Sequence, residues 1–277
     1  YQIWSLAKLK KITDKGIKFR SHIDGKLLYL TPENCIKFQQ NIGSDIIMVL
    51  DECPDYDIQK EKAQKSVELT LKWARRCKKV FKSKKSAIFG IVQGAKYEDL
   101  RIKCALSLQE LEFDGYAIGG LSVGEDQKEM LRILEKTVPC LPDDKPRYLM
   151  GVGMPSDILK AVACGIDMFD CVLPTRLGRN GLAFTTSGII NIRNSKYKKD
   201  KSMLDKNLNC PASKNYSKAY IHHLFKCNEI LGLMILSWHN VFYYQNFMSR
   251  IRESIKNNKF DKFYKNYFKY ESKRKRK

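Results

Sequence analysis

Five short apolar runs punctuate the first two-thirds of the chain, and each meets a glycine or a polar residue at its end. Ile46-Ile47-Met48-Val49-Leu50 precedes Asp51, Ala87-Ile88-Phe89-Gly90-Ile91-Val92 precedes Gln93-Gly94, and Gly115-Tyr116-Ala117-Ile118 precedes Gly119-Gly120. Arg147-Tyr148-Leu149-Met150 precedes Gly151-Val152-Gly153, and the run from Phe169 to Leu173 encloses Asp170. Between the runs, Ala63 to Val80, Tyr97 to Leu111 and Lys128 to Thr137 repeat apolar residues at helical spacing. Pro155-Ser156-Asp157 is a start signal for a further helix toward Val162. Strands alternating with helices predict right-handed crossovers and a parallel sheet. The runs are apolar throughout rather than alternating, as parallel strands covered on both faces should be. Polar residues just past each strand stand where such folds keep their active sites. A doubly wound open sheet fits this pattern nearly as well as a barrel, although no Gly-rich phosphate loop of the dinucleotide or Walker type follows any strand.

After Gly181 the pattern changes. Leu182 to Arg193 reads as hairpin material, Lys196 to Asn209 is polar and basic, and Tyr216 to Leu231 and His239 to Ile255 read as helices. The stretch from Tyr264 to Lys277 mixes aromatic and basic residues and ends Lys-Arg-Lys-Arg-Lys, which predicts a solvated, frayed terminus. The expected domains are therefore 1–181, a β/α unit carrying the site, 182–263, a hairpin and helical subdomain, and 264–277, a basic tail.

Charge narrows the class of partner. The 277 residues hold 51 Lys+Arg against 30 Asp+Glu, a formal charge of +21. Such an excess favours a polyanion, usually nucleic acid, although Lys written at neutral surface positions has the same effect on the count. No apolar run is long enough to span a bilayer, and no signal-peptide pattern opens the chain. Nine cysteines lie singly with no C-x-x-C pair, which argues for reduced thiols and a cytoplasmic location.

Read together, the strand ends offer Asp51, Gln93, Gly119-Gly120, Met150 and Asp170. A carboxylate accepts two donors, a carboxamide both donates and accepts, and glycines let backbone amides approach a flat ring. A thioether packs on a ring face. That set suits a purine edge. Asp170, an acid inside an apolar run beside Arg176 and Arg179, is a candidate nucleophile for a sugar's anomeric carbon, and the arginines suit flanking phosphates or bases. Plainer readings stand beside these: Asp170 as a turn cap, Gln93 as a strand cap, Met150 as core, and Cys53 and Cys171 as packed thiols.

The strings Asp51-Glu52-Cys53, Gly90-Ile91-Val92-Gln93-Gly94, Gly119-Gly120-Leu121-Ser122-Val123-Gly124-Glu125, Gly151-Val152-Gly153 and the Asp170 segment run in one order. With Tyr216 to Leu224 and His239-Asn240, they closely resemble the bacterial tRNA-guanine transglycosylases (queuine tRNA-ribosyltransferases), up to about Tyr264. The resemblance implies an α/β fold, a (β/α)8 TIM-type barrel, with a C-terminal helical subdomain built around zinc. It implies exchange of the wobble guanine in the tRNA anticodon loop for 7-aminomethyl-7-deazaguanine, a queuosine precursor. Asp170 becomes the nucleophile that forms a covalent link to the ribose. Asp51, Gln93, Gly119 and Gly120 become readers of the guanine or 7-deazaguanine edge, Tyr1 and Met150 the residues sandwiching the ring, and Glu125 the acid facing the aminomethyl group. Gly151, Val152, Gly153, Asp157, Thr175, Arg176 and Arg179 match segments that contact tRNA. The family also implies a homodimer.

Two departures modify these expectations. The family's second essential aspartate lies in an Asp-Ser-Gly-Gly-aromatic-Gln motif, of which only Tyr1-Gln2 remain, so the chain is expected to be a barrel lacking its first strands, whether as a fragment, a split protein or a decayed product. A non-catalytic tRNA-binding accessory role follows as the alternative, and a glycoside hydrolase, a third reading, fits neither the charge nor the paired arginines. The family's zinc takes a C-x-C-x-x-C motif and a distant histidine. Here Cys210 and His239 match, while Leu208 and Ser213 stand at the other two positions, so zinc is expected to be lost or weakly held.

Overall fold

Parallel pairing organises the first part of the chain. The structure, a computed structural model, describes residues 10–121, 124 and 126–275. They fall into two compact units, Tyr1–Val152 with Lys160–Asp170, and Gly153–Leu159 with Cys171–Lys277. The first opens with an antiparallel meander, β1 (Lys10–Thr13), β2 (Gly16–Arg20) and β3 (Leu27–Leu30). Helix α1 (Pro32–Ile42) follows, started by Thr31, whose hydroxyl accepts from the Asn34 N–H, and by Pro32 in its first turn.

The five apolar runs become β4 (Ile46–Met48), β5 (Ala87–Val92), β6 (Gly115–Ile118), β7 (Arg147–Leu149) and β8 (Met168–Phe169). They pair in parallel in that order, β4-β5-β6-β7-β8. An order without reversal is singly wound connectivity, as along one arc of a β/α barrel. A doubly wound sheet, whose strand order turns back on itself, is excluded for these strands. Helices α2 (Lys60–Val80), α3 (Glu98–Gln109), α4 (Gln127–Thr137) and α5 (Pro155–Ala163) lie between the strands. Their bounds agree with the spacing of apolar residues to within a few positions. Ile47, Ile88, Val92, Ile118 and Leu149 of the sheet region share one core with Trp73 and Cys77 of α2, Cys104 and Leu108 of α3, and Ile133 and Leu134 of α4. Burying each large apolar side chain contributes about 1.5–3 kcal/mol.

Besides Gly153–Leu159, the second unit holds α6 (Leu173–Arg179) and the expected hairpin, β9 (Leu182–Thr185) paired with β10 (Gly188–Asn191). Then come α7 (Pro211–Lys214), α8 (Lys218–Lys226), α9 (Ile230–Lys256) and α10 (Phe260–Lys275). Helix α9 crosses α6 so closely that a Cβ on Gly178 would lie 2.9 Å from the Ser237 nitrogen. Only glycine permits that approach. The Asn240 carboxamide ties α9 to the hairpin: its Oδ1 accepts from the Phe184 N–H at 2.9 Å, and its Nδ2 donates to the Leu182 and Pro174 carbonyls, each at 2.9 Å. Asn240 is fully buried, so these bonds satisfy groups that have no water to turn to.

The C-terminal stretch is helical where the sequence predicts fraying. Its aromatic residues, taken alone a sign of nothing in particular, pack as tilted pairs at helical spacing: Tyr264 against Phe268 with ring centres 4.8 Å apart, and Phe263 and Tyr267 against Phe247 of α9 at 6.2 and 5.6 Å. Aromatic packing of this kind offsets the ordering of a basic helix. No helix among the described residues is long and apolar enough to cross a membrane.

Replacing Asn240 by Ala would leave a buried amide and two carbonyls without their partner. Asn240→Ala should cost about 2–4 kcal/mol, seen as a lower urea midpoint in the far-ultraviolet signal. A midpoint unchanged from wild type would show that the Asn240 bonds contribute nothing net.

Candidate active site

Because the five strands run the same way, the residues that follow them gather at one end of the sheet. Gln93 follows β5 at once, Gly119 and Gly120 follow β6, Met150 follows β7 and Asp170 follows β8, while Asp51 stands three residues beyond β4. This is the end at which parallel β/α folds place their chemistry.

Asp51 and Gln93 are bonded to each other. Gln93 Nε2 donates to Asp51 Oδ2 at 2.7 Å. Gln93 is 1 % exposed, and its Oε1 has no hydrogen-bond partner among the described residues. A buried acceptor left open costs free energy unless a ligand supplies the donor. Burial pushes the Asp51 carboxyl up from 3.8 to about 6, against the lowering effect of the Gln93 bond. The adjacent Cys53 thiol is pushed up to about 11, first by burial and then by Asp51, so at neutral pH it is a packed thiol rather than a nucleophile.

The two glycines after β6 make room for that carboxamide. A Cβ on Gly119 would lie 2.6 Å from Gln93 Nε2, and one on Gly120 would lie 2.6 Å from Gln93 Oε1. Gly120 also has φ +65°, a left-handed conformation. Fully buried Arg101, on α3, donates to the carbonyls of both glycines.

Asp170 differs from its expectation. The apolar run predicts a buried carboxylate within a strand, yet β8 stops at Phe169 and Asp170 is exposed. Leu173 opens α6 instead of extending the strand, because Pro174 suits a first helical turn and cannot donate to a sheet. The side chain is nevertheless held. Its Oδ1 accepts from the Tyr148 hydroxyl at 2.6 Å and from the Gly151 N–H at 2.9 Å. Burial, reinforced by the Asp170 carboxylate, raises the Tyr148 phenol far above its ordinary value, so Tyr148 stays a donor. Met150 is half-buried between these two donors in the sequence.

Among the residues matched to tRNA contacts, Gly151 and Val152 follow β7 and belong to the first unit. Gly153, Asp157, Thr175, Arg176 and Arg179 belong to the second. Arg176 and Arg179 are exposed and three residues apart on α6, hence on one face of that helix. Gly153 accepts from the Tyr244 hydroxyl at 2.6 Å, and Asp157 sits in the first turn of α5. Tyr1 and Glu125 lie outside the described residues.

The metal candidates are engaged otherwise. His239 Nε2 lies 2.7 Å from the Phe184 carbonyl and Nδ1 lies 2.7 Å from Ser213 Oγ, so both ring nitrogens are in hydrogen bonds. A carbonyl only accepts, which puts the proton on Nε2 and leaves Nδ1 to accept from Ser213. Burial lowers the His239 pKa and keeps the ring neutral. Leu208 and Cys210 are buried in the apolar core of this unit. Among the described residues no group of three or more His, Cys, Asp or Glu is placed to hold a metal ion.

Sequence reading passed over Tyr148 and Arg101. Arg101 leaves a trace: with Cys104, Ala105 and Leu108 it falls on the buried stripe of α3, where a charged residue calls for an explanation. Tyr148 leaves none, since a tyrosine in an apolar strand is ordinary.

The family model for queuine tRNA-ribosyltransferase matches residues 1–273. The queuine tRNA-ribosyltransferase of Agrobacterium fabrum is 52 % identical over 265 residues, 95 % of this chain and 70 % of that protein. That of Rickettsia massiliae is 54 % identical over 257 residues, 92 % of this chain and 71 % of its own. That of Natranaerobius thermophilus is 48 % identical over 272 residues, covering 96 % and 74 %.

The raised Asp51 pKa has a consequence for stability. Below 3.8 the carboxyl is neutral in both folded and unfolded chains, and stability falls as pH rises through about 6. The full cost above that range is about 3 kcal/mol. Asp51→Asn should therefore stabilise the protein by about 1–3 kcal/mol at pH 8, with the difference closing toward pH 4. Paired urea titrations at the two pH values test this, and a gain that is the same at both would refute it.

Proposed function

Since the chain belongs to the queuine tRNA-ribosyltransferase family, a family of pentosyltransferases, we propose that it exchanges the wobble guanine of tRNAs with GUN anticodons for 7-aminomethyl-7-deazaguanine. The observation that carries this reading is the convergence of Asp51, Gln93, Gly119, Gly120, Met150 and Asp170 at one end of the parallel sheet, with Asp170 held by two donors. We read the fold as part of the family's (β/α)8 barrel, its five parallel strands forming consecutive members.

In this reading the target base leaves its stack, at about a few kcal/mol, and enters the pocket. Guanine presents donors at N1 and its 2-amino group, which an ionised Asp51 accepts. The open Gln93 Oε1 takes a further donor, the Gly120 N–H faces the 6-oxo group, and Met150 lies against the ring. An Asp170 carboxylate oxygen then attacks C1′ of the ribose. The new C–O bond forms as the C1′–N9 bond breaks, and the electron pair leaves with guanine, which takes up a proton from solvent. The 7-deazaguanine reverses the step: its N9 attacks C1′ and gives up its proton to solvent, the ester C–O bond breaks, and the Asp170 carboxylate is regenerated. Two displacements retain the sugar configuration. Tyr148 and Gly151 fix the attacking carboxylate in place before the substrate arrives.

The +21 charge and the exposed Arg176 and Arg179 support tRNA as the polyanionic partner. Exposed Ile230, Met234 and Trp238, four residues apart along α9, support the family's homodimer. Free thiols at all nine cysteines accord with the cytoplasm. The zinc of the family does not fit the residues here. Leu208 has no donor atom, and the His239 lone pair is used by Ser213, so we propose that this unit folds without metal.

Labelled guanine should enter a tRNA bearing a wobble guanine, and Asp170→Asn should reduce the rate by at least about a thousandfold while leaving tRNA bound. Affinity for tRNA should fall steeply, by about tenfold or more, between 50 and 200 mM salt. Salt-sensitive binding without any exchange would favour the non-catalytic accessory reading instead.

Metal content is a separate test. Protein purified with zinc in the medium should hold well under one atom per chain, and a chelator should leave its melting midpoint unchanged. About one zinc per chain, removed with a fall in that midpoint, would contradict the metal-free proposal.

A further inference from the structure

Arg101 is fully buried on the apolar stripe of α3, and its bonds reach two different loops. Nε donates to the Ala95 carbonyl at 2.7 Å, Nη1 to the Gly119 carbonyl at 3.0 Å and Nη2 to the Gly120 carbonyl at 3.1 Å. Ala95 lies in the loop after β5, two residues past Gln93, and Gly119-Gly120 begin the loop after β6. Ala95 has φ +50°, a conformation a non-glycine residue adopts only under constraint. A Cβ on the neighbouring Gly94 would lie 2.8 Å from the Arg101 nitrogen, so this loop is pressed against the start of α3 as well. A buried guanidinium is expensive to desolvate. A merely space-filling role is better served by leucine or methionine.

The geometry points to Arg101 as a positioning residue of the base pocket, one that sets the direction and strength of the backbone N–H donors of Gly120 and Leu121. In a trans peptide the C=O and N–H point opposite ways. A guanidinium holding the Gly119 carbonyl therefore turns the Gly120 N–H to the far side of that peptide plane. Holding the Gly120 carbonyl does the same for the Leu121 N–H. The positive charge on the carbonyl side also draws electron density from each N–H and makes it a stronger donor. The planar fork matters here, since its two terminal nitrogens sit at a fixed separation that matches two successive carbonyls, whereas an ammonium donates from a single nitrogen. Fixed donors aimed before the ligand arrives need no reorganisation when it binds. The acceptor that suits them is a ring carbonyl, and this inference rests on the reading that Gly120 faces the 6-oxo group of guanine.

Arg101→Lys tests it, with equilibrium dialysis of labelled guanine and of 6-thioguanine, whose sulfur is a weak acceptor. The full chain is used and no turnover is needed. The variant should keep a cooperative thermal transition. It should bind guanine about tenfold more weakly while its affinity for 6-thioguanine changes less than about threefold. A general loosening of the pocket would weaken both bases alike, and that result, or unchanged guanine affinity in the folded variant, would overturn the inference. If Arg101→Lys does not fold, Arg101→Gln is read by the same two affinities. Failure of both to fold would assign Arg101 to the core alone and also overturn it. Wild-type protein that binds neither base would instead reject the pocket reading on which the inference stands, and the inference with it.

Discussion

Parallel alignment of β4 to β8 is the constraint on which the chemistry of the first unit depends. Antiparallel strands would send alternate loops to opposite ends of the sheet. Parallel ones deliver every post-strand residue to the same end. The helices between strands make that alignment possible, and their apolar stripes cover the sheet. Asp51, Gln93, Gly119, Gly120, Met150 and Asp170 are far apart in the sequence, and their common location follows from strand direction before any side chain is considered.

The site carries free-energy costs that a purely structural sheet edge would not. Gln93 keeps a buried oxygen open, Asp51 is held in surroundings that disfavour its ionised form, and Ala95 sits at positive φ. Proteins concentrate such costs where a ligand or a reaction recovers them. The bonds from Arg101 to three carbonyls and from Tyr148 to Asp170 act in the opposite direction, restraining the same loops. These bonds hold the strained and unsatisfied groups in place at the end of the sheet.

The second unit relies on buried amide and imidazole groups. His239 and Asn240 are adjacent on α9, and between them they bond the Phe184 carbonyl, the Phe184 N–H and the Leu182 carbonyl. Side chains of a helix thus satisfy the edge of β9 that β10 does not cover. Ser213 completes the arrangement by donating to His239. This set of hydrogen bonds fastens α9 to the hairpin.

Much of this was legible in the chain itself. Continuous apolar runs can be strands buried on both faces, their alternation with helical stripes implies parallel pairing, and the residues just past each run are then site candidates by position alone. That reasoning reached Asp51, Gln93, the glycine pair, Met150 and Asp170, because strand direction is a local property with a global consequence. It did not reach the exposure of Asp170, which depends on where β8 yields to α6. Nor did it reach Tyr148 and Arg101, whose partners are 22 and 18 residues away in the chain, or the helix at the C-terminus, whose aromatic residues are informative only beside Phe247. Periodicity is written in neighbouring residues and so determined the elements and their order. Hydrogen bonds and burial between distant segments exist only once the chain has closed on itself, and these were decided by the tertiary structure.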